Sequence, residues 1–219
     1  MRGGKAKKAA PKPPAKTPAK GGKSAEETKV ADFSGMYKMY ALDGGTIGSE
    51  GIMKICKDMH IDIAADAEIL VFMFMAGCKE YGKITEEEFR KVGERMHVTK
   101  SLSDRTQYLS DFLKDPKDSE FKEFYKWLWT FHKEPISKSI DKDAAVTIMQ
   151  MVIGKHFGLS KKLGRYLLEV RDDVKGITKD QWVNMFDFCK TINADLSNYN
   201  DLSAWPLLLD EFYEWTQKK

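Results

Sequence analysis

Apolar side chains recur along the second half of the chain at the three- and four-residue spacing of one helix face. The clearest stripes are Phe121, Phe124, Leu128 and Phe131; Ala145, Ile148, Met149 and Val152; Leu163, Tyr166, Leu167 and Val170; and Trp182, Met185, Phe186 and Cys189. Because an α-helix returns to the same side after about 3.6 residues, this spacing predicts amphipathic helices that share one core.

Signals for the ends of helices agree with these stripes. Cap signals stand at Thr85 with Glu88, at Thr178 with Gln181, at Ser160, and at Asp141 or Asp143. Breaks fall at Asp43-Gly44-Gly45, Gly82, Asp115-Pro116, Glu134-Pro135 and Asn198 to Asp201. The runs around Ile47 and Ile84 are strand-like but too short for a sheet. The sequence therefore predicts an all-α body.

Two segments have the spacing of calcium-binding EF-hand loops without the ligands. In the segment that begins at Gly77, the glycine, the apolar residue and the final glutamate fall on Gly82, Ile84 and Glu88. The first three oxygen-ligand positions are held by Gly77, Lys79 and Tyr81.

The segment that begins at Tyr40 keeps Gly45 and Ile47 but has Tyr40, Leu42 and Gly44 at the ligand positions and Gly51 at the last one. A lysine in place of a carboxylate opposes a dication. We therefore predict degenerate EF-hand-like helix pairs that do not bind Ca²⁺.

Residues 1–30 differ in composition from the rest of the chain. They include nine Lys or Arg and two Glu. The other residues are mainly Ala, Pro and Gly, and none is aromatic. Such a segment buries too little apolar surface to offset its ordering entropy. We predict a disordered basic tail over 1–30 and one folded domain over 31–219.

The tail contributes +7 to a chain of net charge +3, which leaves the domain at −4. An acidic domain favours a basic protein partner over nucleic acid.

Residue types for catalysis are present without a recognisable arrangement. The three cysteines, Cys56, Cys78 and Cys189, lie in apolar stretches, which indicates reduced core thiols of the cytosol or nucleus rather than disulfides. The four histidines share no motif with them, and the sequence has no P-loop, Cys-x-x-Cys or His-Glu-x-x-His. No apolar run is long enough to span a membrane. We predict a protein that is not an enzyme and needs no metal or cofactor.

The most specific pattern lies near the C-terminus. Ser197-Asn198-Tyr199-Asn200-Asp201 precedes Ala204-Trp205-Pro206, and Asp210-Glu211-Phe212 begins four positions after that proline. Upstream, Thr178-Lys179-Asp180 and Trp182 open another helix. This pattern resembles the Defective-in-Cullin-Neddylation family, whose domain is called PONY, for potentiating neddylation. The resemblance covers roughly residues 33–216. We expect no ubiquitin-associated domain of the kind that some members carry at the N-terminus.

The resemblance implies a first binding site on the acidic side of the domain. In the family, two aspartates and an alanine receive the C-terminal winged-helix domain of a cullin. Their counterparts in this chain are Asp180, Ala204 and Asp210. Spacing alone does not place the three together, and an aspartate in the first turn of a helix is also explained by the helix dipole. The chemistry fits, because carboxylates beside a small residue leave room for Lys or Arg.

The resemblance also implies an apolar pocket, in which the family accepts the acetylated N-terminal methionine of the neddylation conjugating enzyme. The residues at the matching positions are Ile52, Cys56, Ile69, Leu70, Phe72, Met73, Tyr81, Ile84 and Phe131. Without the resemblance they are equally explained as core. The chain departs from many relatives at Met73-Phe74-Met75, where Ala-Trp-Lys is common, and at Ser49, where an apolar residue is common.

Together these features predict a monomeric scaffold of the nucleus, the cytoplasm or both, which promotes cullin neddylation within a cullin-RING ligase complex. The alternative is an EF-hand-type calcium sensor with a Met-rich target groove. A third hypothesis makes the basic tail a nucleic-acid contact.

Calcium distinguishes the first two hypotheses. We expect no change in melting temperature at millimolar Ca²⁺, because Lys79 and Tyr81 replace oxygen ligands. Differential scanning fluorimetry with Mg²⁺ as the control cation measures this. A saturable stabilisation that grows with the Ca²⁺ concentration contradicts the scaffold hypothesis.

Overall fold

A computed structural model describes Met1, residues 32–42 and residues 45–218. The predicted tail beyond Met1 and the predicted break at Asp43-Gly44 lie outside the described residues. Within that part of the chain the helices are α1 (Phe33–Ala41), α2 (Ser49–Asp58), α3 (Glu68–Ala76), α4 (Glu86–Arg95), α5 (Thr106–Leu113), α6 (Ser119–His132), α7 (Lys142–Ile153), α8 (Gly158–Glu169), α9 (Lys179–Thr191) and α10 (Leu207–Gln217), with a short 3-10 helix at Ser103–Arg105. The predicted all-α class is confirmed.

One small sheet adds a correction to that prediction. Strands β1 (Ser139–Asp141) and β2 (Gly176–Thr178) pair antiparallel, with Ile140 opposite Ile177. The sequence did not predict them, because a strand of three residues is too short to show an alternating pattern. Ile47 and Ile84, the strand candidates, form a single bridge through backbone bonds of 3.1 and 2.9 Å.

A buried isoleucine stands directly before a helix N-cap at four places in the described residues. Ile47, Ile84, Ile140 and Ile177 are each at most 2% exposed. Each stands directly before the N-cap residue of a helix, namely Gly48 of α2, Thr85 of α4, Asp141 of α7 and Thr178 of α9. The isoleucines pair two by two across the loops. The described part of the chain therefore contains four EF-hand-like helix–loop–helix units, paired two by two, of which the sequence predicted the first two.

Helix α6 connects the two halves of the core. Phe124 contacts Phe74 of α3 at a ring-centroid distance of 5.4 Å, and Tyr125 stacks on Trp182 of α9 at 4.3 Å and 8°. The Trp182 indole N–H donates to the Tyr125 carbonyl at 2.7 Å, and the Trp129 indole donates to the Ile177 carbonyl at 2.9 Å. Aromatic contacts of this kind stabilise by about 0.5–1.5 kcal/mol beyond the burial of their area.

Most predicted caps and stripes are confirmed. Thr85 and Thr178 form complete capping boxes, and Asp141 caps α7 by accepting from Asp143 and Ala144 amides. Ser160 is a correction, since α8 begins at Gly158 and the Ser160 hydroxyl donates to the Phe157 carbonyl at 2.7 Å. Val170, the last member of its stripe, is 44% exposed because α8 has already ended.

The described residues carry neither a helix that could cross a bilayer nor a group of three or more His, Cys, Asp or Glu side chains arranged to hold a metal ion. The three cysteines are buried and free of disulfides.

Candidate functional site

A cavity of about 500 Å³ opens between α2, α3, the loop after α3, the end of α6 and α7. The loop contributes Tyr81 and Gly82, and α6 contributes its last residue, His132. The full lining is Ser49, Ile52, Met53, Ile63, Ile69, Leu70, Met73, Tyr81, Gly82, His132, Ala144, Thr147, Ile148 and Met151. A concave apolar site with a few polar groups is the usual form of a binding pocket.

The lining includes no Asp, Glu, Lys or Arg. Its polar side chains are Ser49, Tyr81, His132 and Thr147, and the Thr147 hydroxyl already donates to the Asp143 carbonyl at 2.8 Å. A charged occupant would lose its hydration without gaining an ion pair, which costs several kcal/mol. The cavity is therefore suited to an uncharged, mainly apolar group.

His132 is the lining residue with the most defined chemistry. Its Nδ1 lies 2.8 Å from the Leu128 carbonyl oxygen, and its ring meets Tyr81 edge to face at a centroid distance of 5.5 Å. Burial lowers the pKa of His132, although the bond to Leu128 opposes this shift. The ring is therefore neutral near pH 7.

Five of the predicted pocket residues line this cavity, namely Ile52, Ile69, Leu70, Met73 and Tyr81. Their role in binding stays a prediction. The lining also includes residues that the sequence did not single out, above all His132 and four side chains of α7. The α7 stripe was visible as a helix face and includes Ile148, but nothing local indicates that the adjacent positions Ala144, Thr147 and Met151 line a cavity together with α2 and α3.

Four predicted pocket residues are placed elsewhere. Cys56, Phe72 and Ile84 are 3%, 0% and 0% exposed and belong to the core. The cavity lies over the first turn of α2, so Cys56, one turn beyond Ile52, is closed off from it. Phe72 packs against Phe89 of α4 at a ring-centroid distance of 6.5 Å, and Ile84 is held in its bridge. Phe131 stacks on Trp127 at 4.3 Å and borders a neighbouring depression with Lys79.

The predicted acidic residues stand at two helix starts. Asp180 is exposed in the first turn of α9, and the Asn184 amide donates to its Oδ1 at 3.2 Å. Asp210 is half-buried in the first turn of α10, where the Tyr199 hydroxyl donates to its Oδ1 at 2.5 Å. Burial, followed by this bond, raises the pKa of Tyr199. The bond fixes the orientation of the Asp210 carboxylate.

Phe188 of α9 brings the C-terminal segment onto that helix. Its ring contacts Tyr199 at 6.2 Å, Trp205 at 5.2 Å and Phe212 at 6.1 Å. Asp210 is thereby attached to α9 through Tyr199, and exposed Ala204 through its neighbour Trp205. Asp180 lies eight residues before Phe188, close to two turns and about 12 Å along the helix axis. Ala204 and Asp210 are thus linked to the middle of α9, and Asp180 stands at the start of the same helix.

Apolar side chains flank the acidic residues on this side. Leu202 is 88% exposed and Leu207 is 71% exposed, on either side of Ala204. We call Asp180, Ala204, Asp210, Leu202 and Leu207 the acidic surface. It belongs to α9, α10 and the segment between them, whereas the cavity belongs to α2, α3, α6 and α7.

The helical fold thus carries an apolar cavity and, on other helices, an acidic surface. A family model described as cullin binding matches residues 101–215. The chain is 33% identical over 182 residues to DCN1-like protein 4 of Homo sapiens, covering 82% of this chain and 61% of that protein. It is 33% identical over 178 residues to DCN1-like protein 5 of Rattus norvegicus, covering 80% and 73%.

A third relative, DCN1-like protein 2 of Dictyostelium discoideum, is 33% identical over 192 residues, covering 85% of this chain and 69% of that protein. The chain therefore belongs to the cullin-binding family of DCN1-like proteins, and the predicted resemblance is confirmed. It spans about three fifths of the length of the human relative.

The position of Cys56 generates a prediction about thiol chemistry. Burial raises the pKa of Cys56 to about 11, and those of Cys78 and Cys189 to about 12. Because the thiolate is the reactive form, we expect a negligible rate of labelling by a thiol reagent at pH 8 in the native protein. All three should react in guanidinium chloride. Rapid native labelling of Cys56, located by mass spectrometry, would show that it is open to the cavity after all.

Proposed function

We propose that this protein is a non-catalytic scaffold that promotes the attachment of a ubiquitin-like modifier to a cullin. The observation that carries the proposal is membership of the cullin-binding family, with a match that includes α9, α10 and the acidic surface. The scaffold acts as a monomer in the nucleus, the cytoplasm or both, within a cullin-RING ligase complex.

The acidic surface is proposed to hold the winged-helix domain of the cullin. Two aspartates at helix starts can accept charge-assisted hydrogen bonds from Lys or Arg, and Ala204 between them leaves room for the incoming side chain. Leu202 and Leu207 supply exposed apolar area beside these bonds. A partner that presents basic groups around an apolar centre matches this combination.

The cavity is proposed to hold the acetylated N-terminal methionine of the conjugating enzyme. A free N-terminus is an ammonium ion, and the lining contains no carboxylate to pair with it. Acetylation removes that charge, and a methionine side chain is flexible and apolar enough to fill an irregular apolar space. The absence of charged lining residues therefore favours an acylated end over a free one.

Binding both partners explains how the protein acts without catalytic groups. The two sites lie on different helices of one fold, so both can be occupied together. Tethering turns the encounter of enzyme and cullin into an intramolecular step and raises the effective concentration of the reacting groups. The reacting cysteine and the acceptor lysine belong to the partners.

A reconstituted neddylation reaction tests the proposal directly. Purified conjugating enzyme charged with the modifier is mixed with a cullin C-terminal domain, with and without this protein, and modified cullin is followed on gels. We expect a faster reaction at limiting enzyme. An unchanged rate at saturating protein overturns the proposal.

The acidic surface yields a first set of variants. Asp180→Lys, Asp210→Lys and Ala204→Arg should each abolish cullin binding in calorimetry, because loss of one partner of a buried charge pair costs about 2–5 kcal/mol and reversal adds repulsion. Asp104→Lys, at an exposed position of the 3-10 helix, is the matched control and should bind normally. Wild-type affinity in all three test variants contradicts this assignment.

The cavity yields a second, separable set. Met53 lines the cavity and Met39 does not, and the two are 53% and 55% exposed. Met53→Glu and Leu70→Glu should remove binding of an acetylated Met peptide but keep cullin binding, whereas Met39→Glu should keep both. The unacetylated peptide should bind wild type at least about tenfold more weakly, or 1.4 kcal/mol. Equal affinity for both peptides, or peptide binding by a folded Leu70→Glu variant, removes the cavity from the proposal.

A further inference from the structure

The hydrogen bond of His132 fixes which ring nitrogen carries the proton and which one can accept. Its Nδ1 lies 2.8 Å from the Leu128 carbonyl oxygen. A carbonyl oxygen only accepts, so Nδ1 must carry the proton. In the neutral ring Nε2 then has a free lone pair. Among the hydrogen bonds formed by the described residues, none involves this Nε2 atom.

The surroundings of His132 keep the ring neutral. None of the lining side chains from α2, α3 or α7 carries a charge, and Tyr81, from the loop after α3, is the other titratable group of the lining. Lys133, the next residue, directs its ammonium group to the carbonyl oxygens of Glu134, Pro135 and Ser137. Burial accordingly lowers the pKa of His132.

We propose that Nε2 of His132 is a specificity-determining acceptor, which binds a backbone amide N–H of the peptide end that enters the cavity. The inference rests on the proposed function, because it requires that the cavity take a peptide. It adds a chemical condition, since an apolar group alone does not satisfy this acceptor.

The need for an amide N–H on the peptide follows from the polar side chains that line the cavity. An acylated N-terminus brings at least one amide N–H into an apolar space, and a buried N–H without an acceptor costs about 1–3 kcal/mol. The other polar side chains of the lining, Ser49, Tyr81 and Thr147, are exposed and can be satisfied by water, whereas His132 is partly buried. His132 is the lining group whose acceptor atom is both free and set by a second hydrogen bond.

The fixed tautomer predicts the sign of the pH dependence. Protonation places a hydrogen on Nε2, which turns the acceptor into a donor facing the peptide N–H. The Leu128 bond is kept in both states, so the ring cannot rotate away without losing it. The affinity for an acetylated peptide therefore falls as the pH drops through the pKa of the free ring.

A double-mutant cycle tests the contact. An acetylated Met peptide and three forms of it, each N-methylated at one of the first three amides, are titrated into wild type, His132→Leu and His132→Gln by fluorescence anisotropy. N-methylation at one of these amides should weaken binding to wild type about tenfold, the effect of one hydrogen bond in such a site. The same methylation should have little effect in His132→Leu. His132→Gln, which offers an amide oxygen, should recover part of the affinity.

A pH series separates a hydrogen-bonding role from a packing role. Because burial lowers the pKa of His132 below the ordinary 6.5, the wild-type affinity should fall only as the pH drops below that value, whereas that of His132→Gln should stay level. His156→Gln, at an exposed histidine outside the cavity lining, is the control and should keep the wild-type dependence.

The outcomes distinguish this inference from the proposed function. If wild type binds the acetylated peptide, but no amide shows coupling to His132 and the affinity is independent of pH, the inference is overturned and the cavity keeps its proposed occupant. If wild type does not bind the peptide at all, the proposed occupant is overturned together with the inference. Coupling at one amide with loss of affinity at low pH supports both.

Discussion

The packing of Trp182 against Tyr125 holds this fold together. The stacked rings lie 4.3 Å apart, and the indole N–H of Trp182 donates to the Tyr125 carbonyl, so α9 is fixed to α6 by burial and by a directed bond. Helix α6 also contacts α3 through Phe124, and its last residue, His132, lines the cavity. Both candidate sites therefore depend on α6, since α9 carries the start of the acidic surface. Replacing so large a buried ring by alanine typically costs about 3–5 kcal/mol.

The four buried isoleucines explain how the rest of the frame is built. Each pairs with another across a loop and passes directly into a helix cap, so strand pairing and helix initiation are set within two residues. In EF-hands a bound cation organises such loops. Here the first pair has Lys79 and Tyr81 at ligand positions, and the backbone bonds between Ile47 and Ile84 hold the loops together. The arrangement agrees with the prediction that these loops do not bind Ca²⁺.

The two candidate sites differ in chemistry as well as in position. The cavity has apolar walls and a neutral histidine, whereas the acidic surface presents carboxylates whose orientation is set by Tyr199 and Asn184. A neutral acylated peptide gains little from the second site, and a basic domain is excluded from the first by the cost of burying its charge. The two proposed partners therefore differ in character and do not compete for one site.

The sequence by itself determined the features that depend on neighbours within one or two turns. Capping boxes at Thr85 and Thr178, the Asp141 cap and the apolar stripes need only local spacing, and the family pattern identified five residues of the cavity wall. Tertiary structure decided the rest. Cys56 follows Ile52 by one turn on the same side of α2, but only Ile52 lines the cavity, because the surrounding helices enclose that space over the start of α2. Likewise, the sequence shows His132 only as a residue at the end of a helix. It lines the cavity because α2, α3 and α7 meet at the end of α6.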